Sequence, residues 1–341
     1  MKSNIIKKSL WGLALGLFFV QGAVMTACSD WTEPEAKDYF VPQSQGYKNN
    51  LKDYFNSPHK VMFGWFGNWS AGSMSNSLCG LPDSTDFVSL WLCWGNLSEA
   101  QQADLKKFQE KGSKAVFCWR AGDIGDNLTP EGVDPHEFWG FSEDDENSMV
   151  IAAQKYAQAI VDSCRKYNVD GFDYDIEDWG SLMNWDYPSV PNAFMRKLRS
   201  EFDKDGRMLV ADIPGGIGGW LYYLYFYDML DNDVLEGLDY LVWQTYELGH
   251  KGLDAFFNGA GGVREHNPEM FETVVKKSIV TSTFEEAAKK YHFAEQQSYH
   301  PSFGIEHAGM GAYHIEYDYA GTPDYPNVRA AIAAQNPPVN Y

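Results

Sequence analysis

One run of the sequence carries most of its chemistry: Val169-Asp170-Gly171-Phe172-Asp173-Tyr174-Asp175-Ile176-Glu177. Side chains two apart on a β-strand share a face, so a strand here turns Asp173, Asp175 and Glu177 one way and Phe172, Tyr174 and Ile176 the other. Neighbouring acids in such a row have Cα atoms about 6.7 Å apart. Two unit charges at about 7 Å and an effective dielectric of about 20 repel by roughly 2.4 kcal/mol, close to 1.7 pH units. Full ionisation of the row is therefore unfavourable, and at least one member holds a proton near neutral pH. Glu177, last in the row and nearest the open end of the strand, is positioned to offer that proton to a leaving oxygen. A proton-donating carboxyl beside ionised ones is what glycosidic cleavage requires. A lone acid would be read as a loop cap or part of a solvated face; three alternating with aromatic and aliphatic residues are not. Strand alternation spreads the oxygens along an axis instead of folding them around an ion, which argues against a calcium site.

Such a strand needs elements to hold it. Short apolar runs recur at 60–66, 86–94, 114–120, 169–177, 207–213, 237–246, 277–283 and 311–317, each followed by a helical pattern, as in consecutive βα units. Eight of them predict a closed (βα)8 TIM barrel, an α/β fold with one catalytic domain over 56–341, with its active site at the C-terminal ends of the strands. A helix over roughly 147–167, with Val150, Ala153, Ala157, Ile160, Val161 and Cys164 on one face, leads almost without a loop into the acidic strand. Ser98 with Gln101 and Thr283 with Glu286 form capping boxes. Asn267-Pro268 reads as an N-cap followed by a first-turn proline.

With its elements in place, the acidic run resembles the DGxDxDxE signature of glycoside hydrolase family 18, which contains chitinases and endo-β-N-acetylglucosaminidases; every fixed position is filled by Asp170, Gly171, Asp173, Asp175 and Glu177. The resemblance implies a substrate-assisted, retaining mechanism, an exception to the usual two-carboxylate scheme. The sugar's own 2-acetamido carbonyl would attack the anomeric carbon and form an oxazolinium intermediate. Glu177 would serve as acid and then base. Asp175 would orient the acetamido N–H and stabilise the developing positive charge, and Asp173 would sit deeper and bias the charge on Asp175.

A second run, Leu241-Val242-Trp243-Gln244-Thr245-Tyr246-Glu247, places Gln244 and Tyr246 on one face. In the family a tyrosine here donates to the acetamido oxygen. Chitinases usually carry methionine two residues before it, whereas endo-β-N-acetylglucosaminidases often carry glutamine. The pair therefore points to cleavage of the chitobiose core of N-glycans. Two departures from the chitinase pattern agree: the third strand reads Phe117-Cys118-Trp119-Arg120-Ala121-Gly122 instead of Ser-x-Gly-Gly, and only about thirty residues separate strands seven and eight, too few for the inserted module that deepens many chitinase clefts. A chitinase acting on chito-oligosaccharides and a non-catalytic glycan-binding lipoprotein are the competing readings; lectin-like relatives usually lack the terminal glutamate that this chain keeps. Where chitinases place a tryptophan floor on the last strand, Tyr313 or Tyr317 stands. Trp65, Trp94, Trp119 and Trp179 are further candidates for stacking on sugars.

The ends and the charge fix the setting. Lys2, Lys7 and Lys8 precede an apolar run from Leu10 to Val20, the pattern of a secretory signal over 1–27 and too short to span a bilayer comfortably. Met25-Thr26-Ala27-Cys28 resembles a lipobox, which implies acylation of Cys28 and a tether over 28–55, hence an outer-membrane lipoprotein facing the periplasm or the cell surface. A formal charge of −20 disfavours nucleic acid and anionic headgroups. The expected partner is an N-glycan or another N-acetylglucosamine-containing glycan, with membrane contact only through the lipid and the protein a monomer. No cofactor or metal is expected: the eight histidines and the cysteines lack metal-ligand spacing. Cys93 and Cys118, inside apolar runs, are expected as buried thiols. The loop Pro214-Gly215-Gly216-Ile217-Gly218-Gly219 lacks GxGxxG or Walker spacing and reads as a tight βα connection.

Overall fold

The computed structural model describes residues 44–93, 95–216, 224–285 and 290–337. Its centre is a closed barrel of eight parallel strands in sequence order: Val61–Phe66 (β1), Phe87–Trp91 (β2), Lys114–Arg120 (β3), Gly171–Asp175 (β4), Met208–Pro214 (β5), Tyr240–Gln244 (β6), Ser278–Thr283 (β7) and Gly309–Tyr313 (β8). All eight lie within the runs expected from sequence, apart from short shifts at their ends. Helices cover the outside, so the strands are buried on both faces and read as nearly continuous apolar runs. Phe63, Phe87, Val116, Val210, Val242 and Ile279 fill the lower barrel. The inward-facing acids Asp173, Asp175 and Asp212 lie above them, towards the C-terminal ends.

The helix before β4 explains how the acids are held. Glu146–Tyr167 begins at Asp145, whose side chain accepts from the amide of Asn147, and ends at Asn168 in the left-handed conformation. Its buried face, including Ala153, Ala157, Ile160, Val161 and Cys164, lies against the sheet side, and β4 begins within four residues of its end. Gly171 is required there: a Cβ would meet the Met208 carbonyl oxygen at 2.0 Å. Asp170 serves the strand entry as expected, its carboxylate accepting from the Ala115 amide and from Gln109 Nε2.

Several local expectations are refined. The Ser98–Gln101 capping box is present on helix Glu99–Glu110. Asn267 Oδ1 accepts from the Met270 amide, so it closes a turn, and the helix starts only at Phe271. Glu286 of the second capping box, Ile217, Gly218 and Gly219 of the glycine loop, Trp94, and the leader with Cys28 lie outside the described residues. Within the stretch expected as a tether, Gln45–Asn56 is helical; Leu51 is buried, and Tyr54 Oη accepts from Asn336 Nδ2. β8 stops at Tyr313 rather than continuing to Tyr317, because His314 adopts a left-handed conformation (φ 53°) and a 3-10 helix, Ile315–Ala320, follows. Cys79, Cys93, Cys118 and Cys164 are buried thiols. No helix among the described residues is long and apolar enough to cross a membrane.

Candidate active site

Strand alternation does to β4 what the sequence requires. Phe172 and Tyr174 point outward, with Phe172 packing on Trp119 and both packing on Phe194 of helix Ser189–Phe202. Asp173 and Asp175 point into the barrel and are buried. Glu177 lies two residues past the strand end yet still turns to the same side. It lines a cavity of about 180 Å³ at the C-terminal mouth, together with Trp65, Trp91, Arg120, Asp175, Gln244, Tyr246 and Tyr313.

A fourth acid completes the group. Asp212 on β5 stands opposite Asp175 in the strand register. It is fully buried, and accepts from Trp65 Nε1 at 3.2 Å and from Gln244 Nε2 at 2.8 Å. One oxygen each of Asp175, Glu177 and Asp212 lies within 4.8 Å of the others. Gln244 Nε2 sits among them, 2.6 Å from Glu177 Oε1 and 3.3 Å from Asp175 Oδ1. An amide nitrogen has two hydrogens for these three acceptors. It cannot satisfy all three with straight bonds, so a proton on one carboxyl relieves the crowd. These acids could otherwise gather a cation, but the amide donor of Gln244 already occupies the space between them.

Burial decides where protons reside. Desolvation pushes Asp173 up to about 7, against the opposing hydrogen bond from Ser89 Oγ at 2.5 Å. Desolvation raises Asp175 well above the carboxylate range, and the charges of Asp212 and Glu177 add to it. Asp212 is raised well above that range by burial and by Asp173. The three deeper acids, which lose water, thus hold a proton more tightly than a solvated carboxylate does. Glu177 instead meets Arg120 Nη1 at 3.3 Å as well as Gln244. Tyr246 keeps its phenolic proton, since burial and the surrounding acids raise it well above its ordinary value. Its hydroxyl is therefore a neutral donor beside Asp175.

The remaining candidates divide. Trp65 lines the floor of the cavity, although only 2 % exposed, and Tyr313 stacks on Tyr246 with ring centroids 6.0 Å apart. Trp119 is not in the site: it is on the outward face of β3, buried, its Nε1 donating to Tyr156 Oη. Trp179 is exposed and stacked on Phe226, away from the cavity lining. Tyr317 has left the strand and borders a neighbouring groove. Trp91, Arg120 and Asp212 were missed. Asp212 had a signal, an acid at an inward position of an otherwise apolar run, Leu209-Val210-Ala211-Asp212-Ile213; Arg120 and Trp91 end their strands as many surface residues do.

A parallel eight-stranded barrel with a carboxylate-lined cavity at the C-terminal mouth is the architecture of a glycoside hydrolase. Comparison makes this specific. A family model described as glycoside hydrolase family 18, BT1044-like, matches residues 28–190. The structure of a selenomethionine, glutamate-to-glutamine variant of BT1044 is 32% identical, with a TM-score of 0.71, covering 87% of this chain and 94% of that one. The chain belongs to glycoside hydrolase family 18. An endo-β-N-acetylglucosaminidase from Cordyceps militaris shares the fold at 18% identity (TM-score 0.61; 87% and 98% of the two chains), and a variant of it is known in complex with fucosyl-N-acetylglucosamine-Asn. A family 18 chitinase from Pseudoalteromonas aurantia shares it at 13% identity (TM-score 0.52; 81% and 99%). A search of curated proteins gave no match.

Proposed function

We propose that the protein is an endo-β-N-acetylglucosaminidase that cleaves the chitobiose core of N-glycans with retention of configuration. The observation that carries this is the single cluster formed by Asp175, Glu177, Gln244 and Tyr246 around one cavity. An N-acetylglucosamine seated there would meet Tyr246 as a donor to its acetamido oxygen and Asp175 as an acceptor for its acetamido N–H. The acetamido oxygen then closes on the anomeric carbon while Glu177 protonates the leaving oxygen. Water adds in the second half, with Glu177 taking its proton. Asp173 lies beneath, out of substrate reach, and acts through Asp175. Gln244, at the position where a methionine would mark a chitinase, supports the endo-glycosidase reading over that one. Cys28, by the same proposal, carries the lipid that holds the enzyme at the outer membrane.

Glu177→Gln should lower kcat on an N-glycopeptide by about two to four orders of magnitude while leaving the circular dichroism spectrum unchanged. Undiminished turnover by that variant would refute the assignment of Glu177. Mass spectrometry of the products separates the readings: a glycan ending in one N-acetylglucosamine marks an endo-glycosidase, serial disaccharides from chito-oligosaccharides mark a chitinase, and binding without product marks a lectin.

A further inference from the structure

Glu177 stands two residues beyond the end of β4, and a carboxyl outside the ladder needs other groups to hold its aim. Gln244 Nε2 takes one of its oxygens, Oε1, but that nitrogen is shared with Asp175 and Asp212. The second oxygen, Oε2, meets Arg120 Nη1 at 3.3 Å. Arg120 ends β3, shares the inward face with Val116 and Cys118, and stands level with Asp175 in the ladder. The departure from Ser-x-Gly-Gly on this strand therefore places a guanidinium over the barrel mouth. Its side chain is 48% exposed, and a long exposed cation left to itself samples many rotamers. Asp178 prevents this. Its Oδ2 accepts from both Nε at 2.9 Å and Nη2 at 2.6 Å, which fixes the plane of the fork and leaves Nη1 turned to Glu177.

The loops that carry this pair, after β3 and after β4, are joined behind it. The Ala121 carbonyl accepts from Tyr174 Oη at 2.8 Å, and the Gly122 carbonyl accepts from the amides of Leu182 and Met183 at 2.9 and 3.2 Å. Asp123 Oδ1 accepts from the Ser181 amide at 2.7 Å, and Ser181 Oγ accepts from the Ile124 amide at 2.9 Å. Gly180 permits this approach, since a Cβ there would clash with the Gly122 carbonyl and with Asp123. The two loops thus form one support, with the Arg120–Asp178 pair at its edge on the cavity. Ion pairs this exposed add little to stability, so the effect of this one falls on the place of Glu177. We propose that Arg120, held by Asp178, is a positioning residue that aims the Glu177 carboxyl at the leaving oxygen. The proposal rests on the assignment of Glu177 as proton donor given above.

Leaving groups separate lost aim from general damage. A peptide-linked N-acetylglucosamine departs only with a proton, whereas a nitrophenolate departs without one. Arg120→Met should lower kcat/KM on an N-glycopeptide about a hundredfold. The ratio of that kcat/KM to the value for the 4-nitrophenyl glycoside of the released oligosaccharide should fall about tenfold. Arg120→Lys should fall as far, because a single ammonium cannot replace the fork. Asp178→Ala should match Arg120→Met, Asp178→Asn should recover most of the activity through its remaining oxygen, and the double variant Arg120→Met/Asp178→Ala should lose no more than either single one. The Tm should hold throughout. Equal losses on both leaving groups, recovery by lysine, or additive losses in the double variant would overturn the proposal. If Glu177→Gln itself leaves the ratio unchanged, or the unaltered protein cleaves neither substrate, the assignment of Glu177 fails. The clamp is then decided by a crystal structure of Arg120→Met: a displaced Glu177 carboxylate supports it, and an unmoved one refutes it.

Discussion

At the scale of single residues, Asp212 alters how the other acids must be understood. It stands in register with Asp175, shares Gln244 with it, and both are buried. Burial is the larger cause for both: the charge of Asp212 raises Asp175 further, whereas Asp212 is raised further by the charge of Asp173 and lowered by its hydrogen bond with Asp175. Together they titrate as a pair that takes its protons in coupled steps. Asp212→Asn removes one member while keeping one of the two oxygens that accept from Trp65 and Gln244. Asp175 should then ionise at lower pH, and the acidic limb of the pH profile of kcat/KM should move down by about one pH unit. A limb that stays in place would mean that Asp175 is governed by other groups, of which Asp173, Glu177 and Arg120 are the nearest.

At the scale of elements, the acidic strand works because its entry and exit are fixed independently. The entry is set by Asn168, Asp170 and Gly171 between helix Glu146–Tyr167 and β4. Gly171→Ala forces a methyl onto the Met208 carbonyl, and backbone clashes of this type belong to the small group of substitutions that cost about 4 kcal/mol or more. A drop in Tm is expected even though residue 171 touches no substrate; an unchanged Tm would show that β4 and β5 can part there without penalty. The exit is looser. Glu177 follows the strand rather than belonging to it, so its position depends on Arg120 of β3 and Gln244 of β6. The sequence made the strand legible by its alternation. Its ends were not legible, because Ile176 and Glu177 continue the alternation past the last ladder residue. The same reason misplaced Tyr317: the pattern 311–317 alternates smoothly, but His314 leaves the extended region and the chain turns.

At the scale of the whole molecule, stability and activity pull against each other. Asp173 is pushed up to about 7 by burial, far above an unfolded aspartate near about 3.9. The folded state therefore binds the proton more tightly than the unfolded chain. The stabilisation is complete below about pH 4 and is lost as the pH rises through about 7. Asp175 and Asp212 act in the same direction. The Tm should consequently fall between pH 5 and pH 8, and Asp173→Asn, which retains an oxygen for Ser89, should reduce that fall. A Tm difference the same in both proteins would place the pH dependence elsewhere.

The sequence by itself determined the barrel, the row of acids and the glutamine–tyrosine pair, because each follows from periodicity along one stretch of chain: apolar runs repeat, and side chains two apart share a face. Only the tertiary structure decided that Asp212 joins the acids, that Arg120 and Trp91 border the cavity, and that Trp119 turns away from it. Those outcomes depend on the register between strands far apart in sequence and on which carboxyls the closed barrel deprives of water, and neither quantity is written in any single segment.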